Sequence, residues 1–503
     1  MQNSRDIKFN DLFNSKHLEL KKKTARSAAF VLFGRACVYS LSFLAMIILA
    51  RLIKPEDFGL VNMASVVIFF LGLIGDLGLA TVTVQKNTIS HDLVTSLFWI
   101  NVSINSFCCI LCAIISPYVA WFYSDLRLTS ITLILGTVFF INGLGVQHLA
   151  LLKRQMRFGI VVGIEILATA LSLIAGVYCA FIGLGYWALV VKQLSLPLFQ
   201  TIGTWLFCPF KPGLPSKHYE LKSVLSFGGT LTISNIIIQA ARKLDTILIG
   251  KKFGAEHVGI YSKGFSFIVM PIRQINRPLS SVVMSTLSRL WGDDEKYRLA
   301  YIRIMEKIAI ITMPTIAILI ASSDWVINIL LGKQWIAVIP LFRIFGFLAL
   351  LEPISISIGW LLITQGRSKD YFTWSIISAT IAVTAVLIGV QWGIKGVAVS
   401  LTIAGIFIRQ PLGFWFVSLN SPIKFRDFYY ISIFYGGISI GLLLFLVNIR
   451  LFFMIENPII GIGIIFFFGL VFIFAILFLL PSGKKALMDF RDILKIIISS
   501  KIN

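Results

Sequence analysis

The chain is expected to fold as an all-α integral membrane protein, and three observations support this. Of its 503 residues, 57% are hydrophobic, and the mean hydropathy is +0.88. That is more apolar surface than a soluble protein of this length can bury. The apolar residues gather into about fourteen runs, each near the ~20 residues that cross a bilayer as a helix. Finally, the chain echoes itself. Arg51 to Gly59 follows Ile47-Ile48-Leu49, and Lys251 to Gly259 follows Ile247-Leu248-Ile249, so that Glu56 matches Glu256 and Gly59 matches Gly259. A second echo, at an offset of 210, pairs Gln155 and Arg157 with Gln365 and Arg367, and Gly183 and Ala188 with Gly393 and Ala398. Two similar bundles around a central site are the architecture of many transporters. A repeated membrane scaffold without a transport role is the plainer alternative.

The elements follow in order. Residues 1–27 form a basic tail. The first apolar run, 28–52, is too long for a signal-peptide core and lacks a small-residue cleavage site, so it reads as the first transmembrane helix. Spans at 58–84, 93–116, 129–151, 160–183 and 185–207 complete a first lobe over 28–210. The segment Lys211-Pro212-Gly213-Leu214-Pro215-Ser216-Lys217 marks the internal boundary, where the repeat restarts. Spans at 222–250, 256–287, 300–322, 336–364, 371–392 and 394–418 form a second six-helix lobe over 222–420. The last two, 427–449 and 457–480, have no counterpart in the repeat, so 421–480 reads as an appended pair. In the tail 481–503, Leu487, Phe490, Ile493, Leu494 and Ile497 alternate with basic residues. This suits a helix lying on the inner leaflet or a disordered tail.

The net charge of +22 would suggest nucleic acid in a soluble protein. Here the basic residues sit mostly in short segments between spans, so they report topology and no nucleic-acid partner is expected. The N-terminal tail, every second loop after it and the C-terminal tail carry about 26 basic residues, against 8 in the alternate loops. The positive-inside rule therefore puts both termini in the cytoplasm, with an even number of spans.

Catalysis finds little support. The five histidines are scattered, and no phosphate-cradling glycine loop, Walker motif or Ser-His-Asp constellation is present. Cys108, Cys109 and Cys112 share a helix but have no His or carboxylate nearby in sequence. They read as small buried side chains and not as metal ligands. An enzyme is not expected, nor is a cofactor or metal.

About nine basic residues fall inside spans: Arg35, Lys192, Arg242, Lys243, Lys263, Arg273, Arg277, Arg343 and Arg409. A charge at a helix centre costs roughly 2.5–3.5 kcal/mol on insertion scales. Some must snorkel, some must pair, and the rest must face water or a ligand. Only Asp76, Glu165, Asp245 and Glu352 lie as deep among the acids, so the interior carries excess positive charge. Arg273, Asn276 and Arg277 share a helical face between Pro271 and Pro278. Two guanidiniums and an amide suit a phosphate or pyrophosphate; an interhelical salt bridge is the structural alternative. Arg242 and Asp245 can pair on their own helix. Arg35 can face a cavity or snorkel. Asp76, among Gly72, Gly75 and Gly78, is a candidate proton carrier or a partner for Arg35, and Asp245 is a second candidate coupling carboxylate.

Several motifs carry a resemblance: Ala50-Arg51-Leu52 through Pro55-Glu56-Asp57-Phe58-Gly59-Leu60; Asp76-Leu77-Gly78-Leu79; Asn142-Gly143-Leu144-Gly145-Val146-Gln147-His148; Ala241-Arg242-Lys243-Leu244-Asp245; and Gln274-Ile275-Asn276-Arg277-Pro278-Leu279-Ser280. Over about residues 25–420 the chain resembles the polysaccharide-transporter branch of the multidrug/oligosaccharidyl-lipid/polysaccharide flippase superfamily, and within it the colanic-acid-exporter-like lipopolysaccharide biosynthesis proteins. The resemblance implies a flippase for an undecaprenyl-pyrophosphate-linked oligosaccharide in the bacterial inner membrane, serving O-antigen, capsule or exopolysaccharide synthesis. A polymerase and export machinery would be further partners. It also implies a cavity lined by spans one, two, seven and eight, which hold Arg35, Asp76, Arg242, Lys243, Asp245, Lys263, Arg273 and Arg277. Arg277 before Pro278 departs from the family pattern, in which a smaller residue stands there. A drug/cation antiporter of the same superfamily and a membrane polysaccharide polymerase or ligase are the alternatives. A cationic cavity argues against the first, and short outer loops argue against the second.

Overall fold

The computed structural model describes residues 20–75, 78–86, 88–214, 241, 243–453 and 457–479. Among these, every regular element is a helix. Nine helices are long and apolar enough to cross a membrane, or ten when Val338–Leu350 and Glu352–Thr364 count as one bent span. One of the nine, Ser368–Ser418, holds two of the expected spans. The chain divides into two compact units, Met1–Gly259 and Ile260–Asn503.

The first unit contains α1 (Leu20–Leu52), α2 (Pro55–Gly75), α3 (Leu79–Gln85), α4 (His91–Tyr123), α5 (Arg127–Arg154), α6 (Phe158–Phe181), α7 (Tyr186–Phe207) and α8 (243–253). It also takes in the first turn of α9 (Ala255–Leu290). In lipid, apolar side chains gain nothing by leaving apolar solvent, so helices pair where small residues let them approach. Gly34 of α1 lies against Val162 of α6, Gly136 of α5 against Cys112 of α4, and Gly145 of α5 against Thr201 of α7. The cysteines belong to this packing: the Cys108 thiol donates to the Leu71 carbonyl at 3.6 Å and Cys112 to Thr132 at 3.3 Å.

Polar contacts tie helix ends together at each end of this unit. At one end Arg127 bridges Glu56 (2.6 Å) and Asp125 (2.7 Å), and Asp57 accepts the Tyr186 backbone N–H at the start of α7. Asp125 is held low by its hydrogen bonds to Arg127. At the other end Arg154 donates to the Thr83 and Lys86 carbonyls, covering the open carbonyls at the end of α3. His91 and Trp99 of α4 hold the Lys211 and Gly213 carbonyls at 3.1 and 2.9 Å. The start of the expected inter-lobe linker is thus fastened to α4.

The second unit contains most of α9, then α10 (Asp294–Ala321), α11 (Ser323–Leu330), α12 (Val338–Leu350), α13 (Glu352–Thr364), α14 (Ser368–Gly389) and α15 (Gly393–Ile403). A π-helical turn, Ala404–Arg409, leads into α16 (Gln410–Ser418), followed by α17 (Phe425–Phe453) and α18 (Pro458–Leu479). Helix α10 is central, packing against α12, α13, α17 and α18.

The second echo is structural. Gln155, Met156 and Arg157 join α5 to α6; Gln365, Gly366 and Arg367 join α13 to α14. Met156 and Gly366 are both left-handed, at φ 56° and 71°. Arg157 and Arg367 follow at φ −79°, ψ 49° and φ −88°, ψ 54°. Arg157 then donates to the Phe207 carbonyl at 3.2 Å and Arg367 to the Val417 carbonyl at 3.1 Å. Those acceptors are also 210 positions apart. Gly183 and Gly393 repeat the pattern, at φ 80° and 77°.

Three expected spans are interrupted. Span two is interrupted at left-handed Gly78 (φ 72°), after which α3 begins at Leu79. Span ten bends by 41° between α12 and α13, where Pro353 follows Glu352 and cannot donate to the preceding turn. Span twelve passes through the π turn.

Candidate functional site

Arg273, Asn276 and Arg277 lie on α9, whose backbone stays helical through Pro271 and Pro278. Their side chains lie outside the described residues. Helix α9 is 36 residues long, which puts Arg273 about 25 Å of helix from either end at 1.5 Å per residue. Asp76 and Arg242 also lie outside the described residues.

In the first unit Arg35 is exposed on α1. Lys243 is half-buried on α8, with its ammonium 5.2 Å from the centre of the Phe69 ring of α2. Such a cation–π contact stabilises a partly desolvated ammonium. Asp245 is half-buried and accepts from the Thr246 N–H (2.6 Å) and hydroxyl (3.1 Å). Lys192 of α7 is half-buried, its stem against Gly176 of α6.

In the second unit Lys263 is buried, with 7% exposure, and its ammonium is 5.9 Å from the centre of the Trp335 ring. Glu352 is buried at the first position of α13, where the positive end of the helix favours a carboxylate. The structure thus describes Arg35, Lys243 and Asp245 in the first unit and Lys263 in the second. Arg343 and Arg409 were grouped with them by depth alone. Arg343 serves packing, through Ser323 and Asp324, and Arg409 ends the π turn.

Two features escaped the sequence. Gln410, 3% exposed, donates to the Leu351 carbonyl (2.9 Å) and the Ser355 hydroxyl (2.7 Å). It thereby adds a second bond to the Leu351 carbonyl, which also accepts from the Ser355 N–H at 3.0 Å, beside the bend in span ten. Asn105, 4% exposed, donates to the Asn101 carbonyl and places its Oδ1 against Gly75, three residues before the left-handed Gly78. Broken helices at membrane depth are tolerated where protein or a cavity satisfies the backbone. The available signal was a polar amide inside an apolar run. An open groove of about 530 Å³ lies on α17, lined by Phe445, Asn448, Ile449, Leu451, Phe452 and Phe453; none of the expected site residues lines it.

Comparison with known proteins adds three findings. Residues 48–340 match the family described as polysaccharide biosynthesis protein. The lipopolysaccharide biosynthesis protein WzxC of Escherichia coli is 26% identical over 74% of this chain and 76% of its own length. The succinoglycan biosynthesis transport protein ExoT of Rhizobium meliloti is 23% identical over 73% of this chain and 74% of its own. Among solved structures, the lipid II flippase MurJ in an inward closed conformation superposes with a TM-score of 0.70, covering 94% of this chain and 100% of that one at 14% identity. That likeness concerns the fold.

Proposed function

The chain belongs to the polysaccharide biosynthesis protein family, and on that premise we propose that it is a flippase for a lipid-linked oligosaccharide. It would turn an undecaprenyl-pyrophosphate-linked repeat unit from the inner to the outer leaflet of the bacterial inner membrane, supplying O-antigen, capsule or exopolysaccharide synthesis. The observation that carries the reading is the repeated turn at Arg157 and Arg367. Matching backbone and a matching arginine-to-carbonyl bond 210 positions apart support two equivalent helical units, the arrangement that alternates access around a central site. The relatives' names, one in lipopolysaccharide biosynthesis and one a succinoglycan transport protein, supply the substrate class.

In this reading the lobes are 28–210 and 222–420, with 421–480 appended and both tails in the cytoplasm. Arg273, Asn276 and Arg277 hold the anionic head group. Arg35, Arg242, Lys243 and Lys263 add positive potential, and the prenyl chain stays in lipid. Asp76 and Asp245 are the carboxylates through which an ion gradient would act. The protein moves its substrate without making or breaking a covalent bond, and hands it to a polymerase and export machinery.

The test is reconstitution into liposomes loaded with a fluorescent lipid-linked oligosaccharide, followed by its appearance in the opposite leaflet. Translocation above protein-free liposomes is expected. A rate equal to theirs, from correctly folded protein, would remove the flippase reading.

A further inference from the structure

We propose that Gly59 and Gly259, the glycines of the repeated segment, form the outward seal of the transport path, a contact that closes only because both residues are glycine. The proposal rests on the flippase reading and on its placement of the first and seventh loops outside.

The contact is reciprocal. A Cβ on Gly59 of α2 would fall on the Ala255 carbonyl oxygen. A Cβ on Gly259 of α9 would fall on the Pro55 carbonyl oxygen and stand 3.2 Å from the Gly59 nitrogen. Residues 55 and 255, like 59 and 259, occupy the same places in the two copies. Each copy thus offers a carbonyl to the other's glycine, as expected at a two-fold axis. The obstacle to a methyl is backbone in both directions, so no rotamer change can relieve it. Beside this contact Gly250 lies where a Cβ would stand 2.7 Å from the Tyr123 ring and 2.8 Å from Met63. Lys251 donates to the Phe122 carbonyl, its ammonium 5.1 Å from the centre of the Phe122 ring.

The chemistry of the neighbouring contacts marks the parting line. Charged groups tie α2 to the ends of α5 and α7: Arg127 with Glu56, and Asp57 with the Tyr186 N–H. Those ends move as one body. The contacts described here between α2 or α4 and the end of α8 or start of α9 include close backbone approach at Gly59 and Gly259, Tyr123 and Met63 packed on Gly250, and one exposed lysine. Such contacts depend on distance and hold by dispersion and weak Cα–H···O attraction.

The experiment uses the full-length protein in a background without native cysteines. A single reporter, Asn62→Cys or Ser262→Cys, sits about one turn deeper than the seal. An impermeant maleimide is added outside intact cells. Gly59→Ala and Gly259→Ala should each raise outside labelling at least about tenfold, because a methyl disfavours the closed state selectively. Gly163→Ala has open space beside it and should leave labelling unchanged. Lys251→Met removes the lysine contact without steric conflict and should raise labelling about threefold. Folded glycine variants with parental labelling would overturn the seal. So would glycine variants that fail to fold alongside parental labelling in Lys251→Met. Raised labelling in a protein that does not translocate lipid-linked oligosaccharide would leave the seal standing and remove the flippase reading instead.

Discussion

Arg450 grips Asp324 with both arms of its guanidinium and so fastens the appended helix α17 to the body of the second unit. Nη1 donates to Oδ1 at 2.6 Å and to the Ala321 carbonyl at 3.2 Å, and Nη2 to Oδ2. The guanidinium carbon lies 4.1 Å from the centre of the Trp325 ring. Arg343 joins the cluster, donating from Nε to the Ser323 hydroxyl at 2.7 Å. At the other end of α17, Arg298 of α10 grips Asp427 in the same two-point manner, at 2.7 and 2.6 Å. Planar two-point pairing is what arginine offers and lysine does not.

The Asp324 cluster should make the protein acid-sensitive. Burial works against the Asp324 carboxylate, but hydrogen bonds and charge from Arg450, with charge from Arg343, outweigh it and hold the pKa below the usual carboxylate range. A depressed carboxylate contributes its full stability above the unfolded pKa, near 4. That contribution is lost as pH falls through the lower native value. Asp324→Asn should cost about 2 kcal/mol at pH 7. It should also flatten the loss of thermal stability expected of the parent as pH falls below about 4. Detergent-solubilised melting curves across that range check both.

The paired turns predict opposite effects of exchange. Met156 holds a left-handed backbone that costs a side-chain-bearing residue about 1 kcal/mol or more, whereas its counterpart Gly366 adopts it freely. Met156→Gly should raise stability by about 0.5–1 kcal/mol, less than the full strain because glycine loses more chain entropy on folding. Gly366→Met should lower it by a similar amount or more. A melting temperature that moves the other way in either variant would contradict the strain argument.

Arg273 separates an anion site from a structural bridge. If it holds pyrophosphate, Arg273→Ala should abolish export, and Arg273→Lys should restore only part of it. Loss of one charge-assisted hydrogen bond, worth roughly 1.5–3 kcal/mol, weakens binding about ten- to a hundredfold. Binding of lipid-linked oligosaccharide to purified variants, read beside thermal stability, decides. Normal binding with lowered stability would make Arg273 a structural residue.

Topology is open to a direct check at exposed positions. Single cysteines at Lys54 and Lys252 should react with an impermeant reagent added outside, while those at Lys153 and Lys369 should stay protected. All four are exposed in the structure, so protection cannot come from burial. Reaction of all four from one side would contradict the two-lobe arrangement with both ends inside.

The order and length of the helices were legible in the sequence because lipid sorts residues by a single property. A run of about 20 apolar residues has to be helical to satisfy its own backbone. Most of the span expected at 222–250 lies outside the described residues, and the other expected spans fall on observed helices with ends that differ by up to about seven residues, apart from the longer N-terminal extension of α1. The duplication was legible as well, since Gln155, Arg157, Gly183 and their partners at 365, 367 and 393 perform identical backbone tasks that few residues can share. Charge depth read one residue at a time could not separate roles. Lys243 rests on Phe69 and Lys263 on Trp335, while Arg343 turns to Ser323 and Asp324. Partner choice depends on which helices are neighbours, and hydropathy carries no such information. The breaks at Gly78 and Leu351 were hidden inside continuous apolar runs, because a helix interrupted in lipid needs a satisfied backbone and not a polar sequence. Gln410 and Asn105 meet those breaks from distant helices. Likewise, the sequence showed Gly59 and Gly259 to be equivalent. Only the packed structure decided that they touch, because contact between two copies depends on how the chain brings its repeats together and not on what each repeat contains.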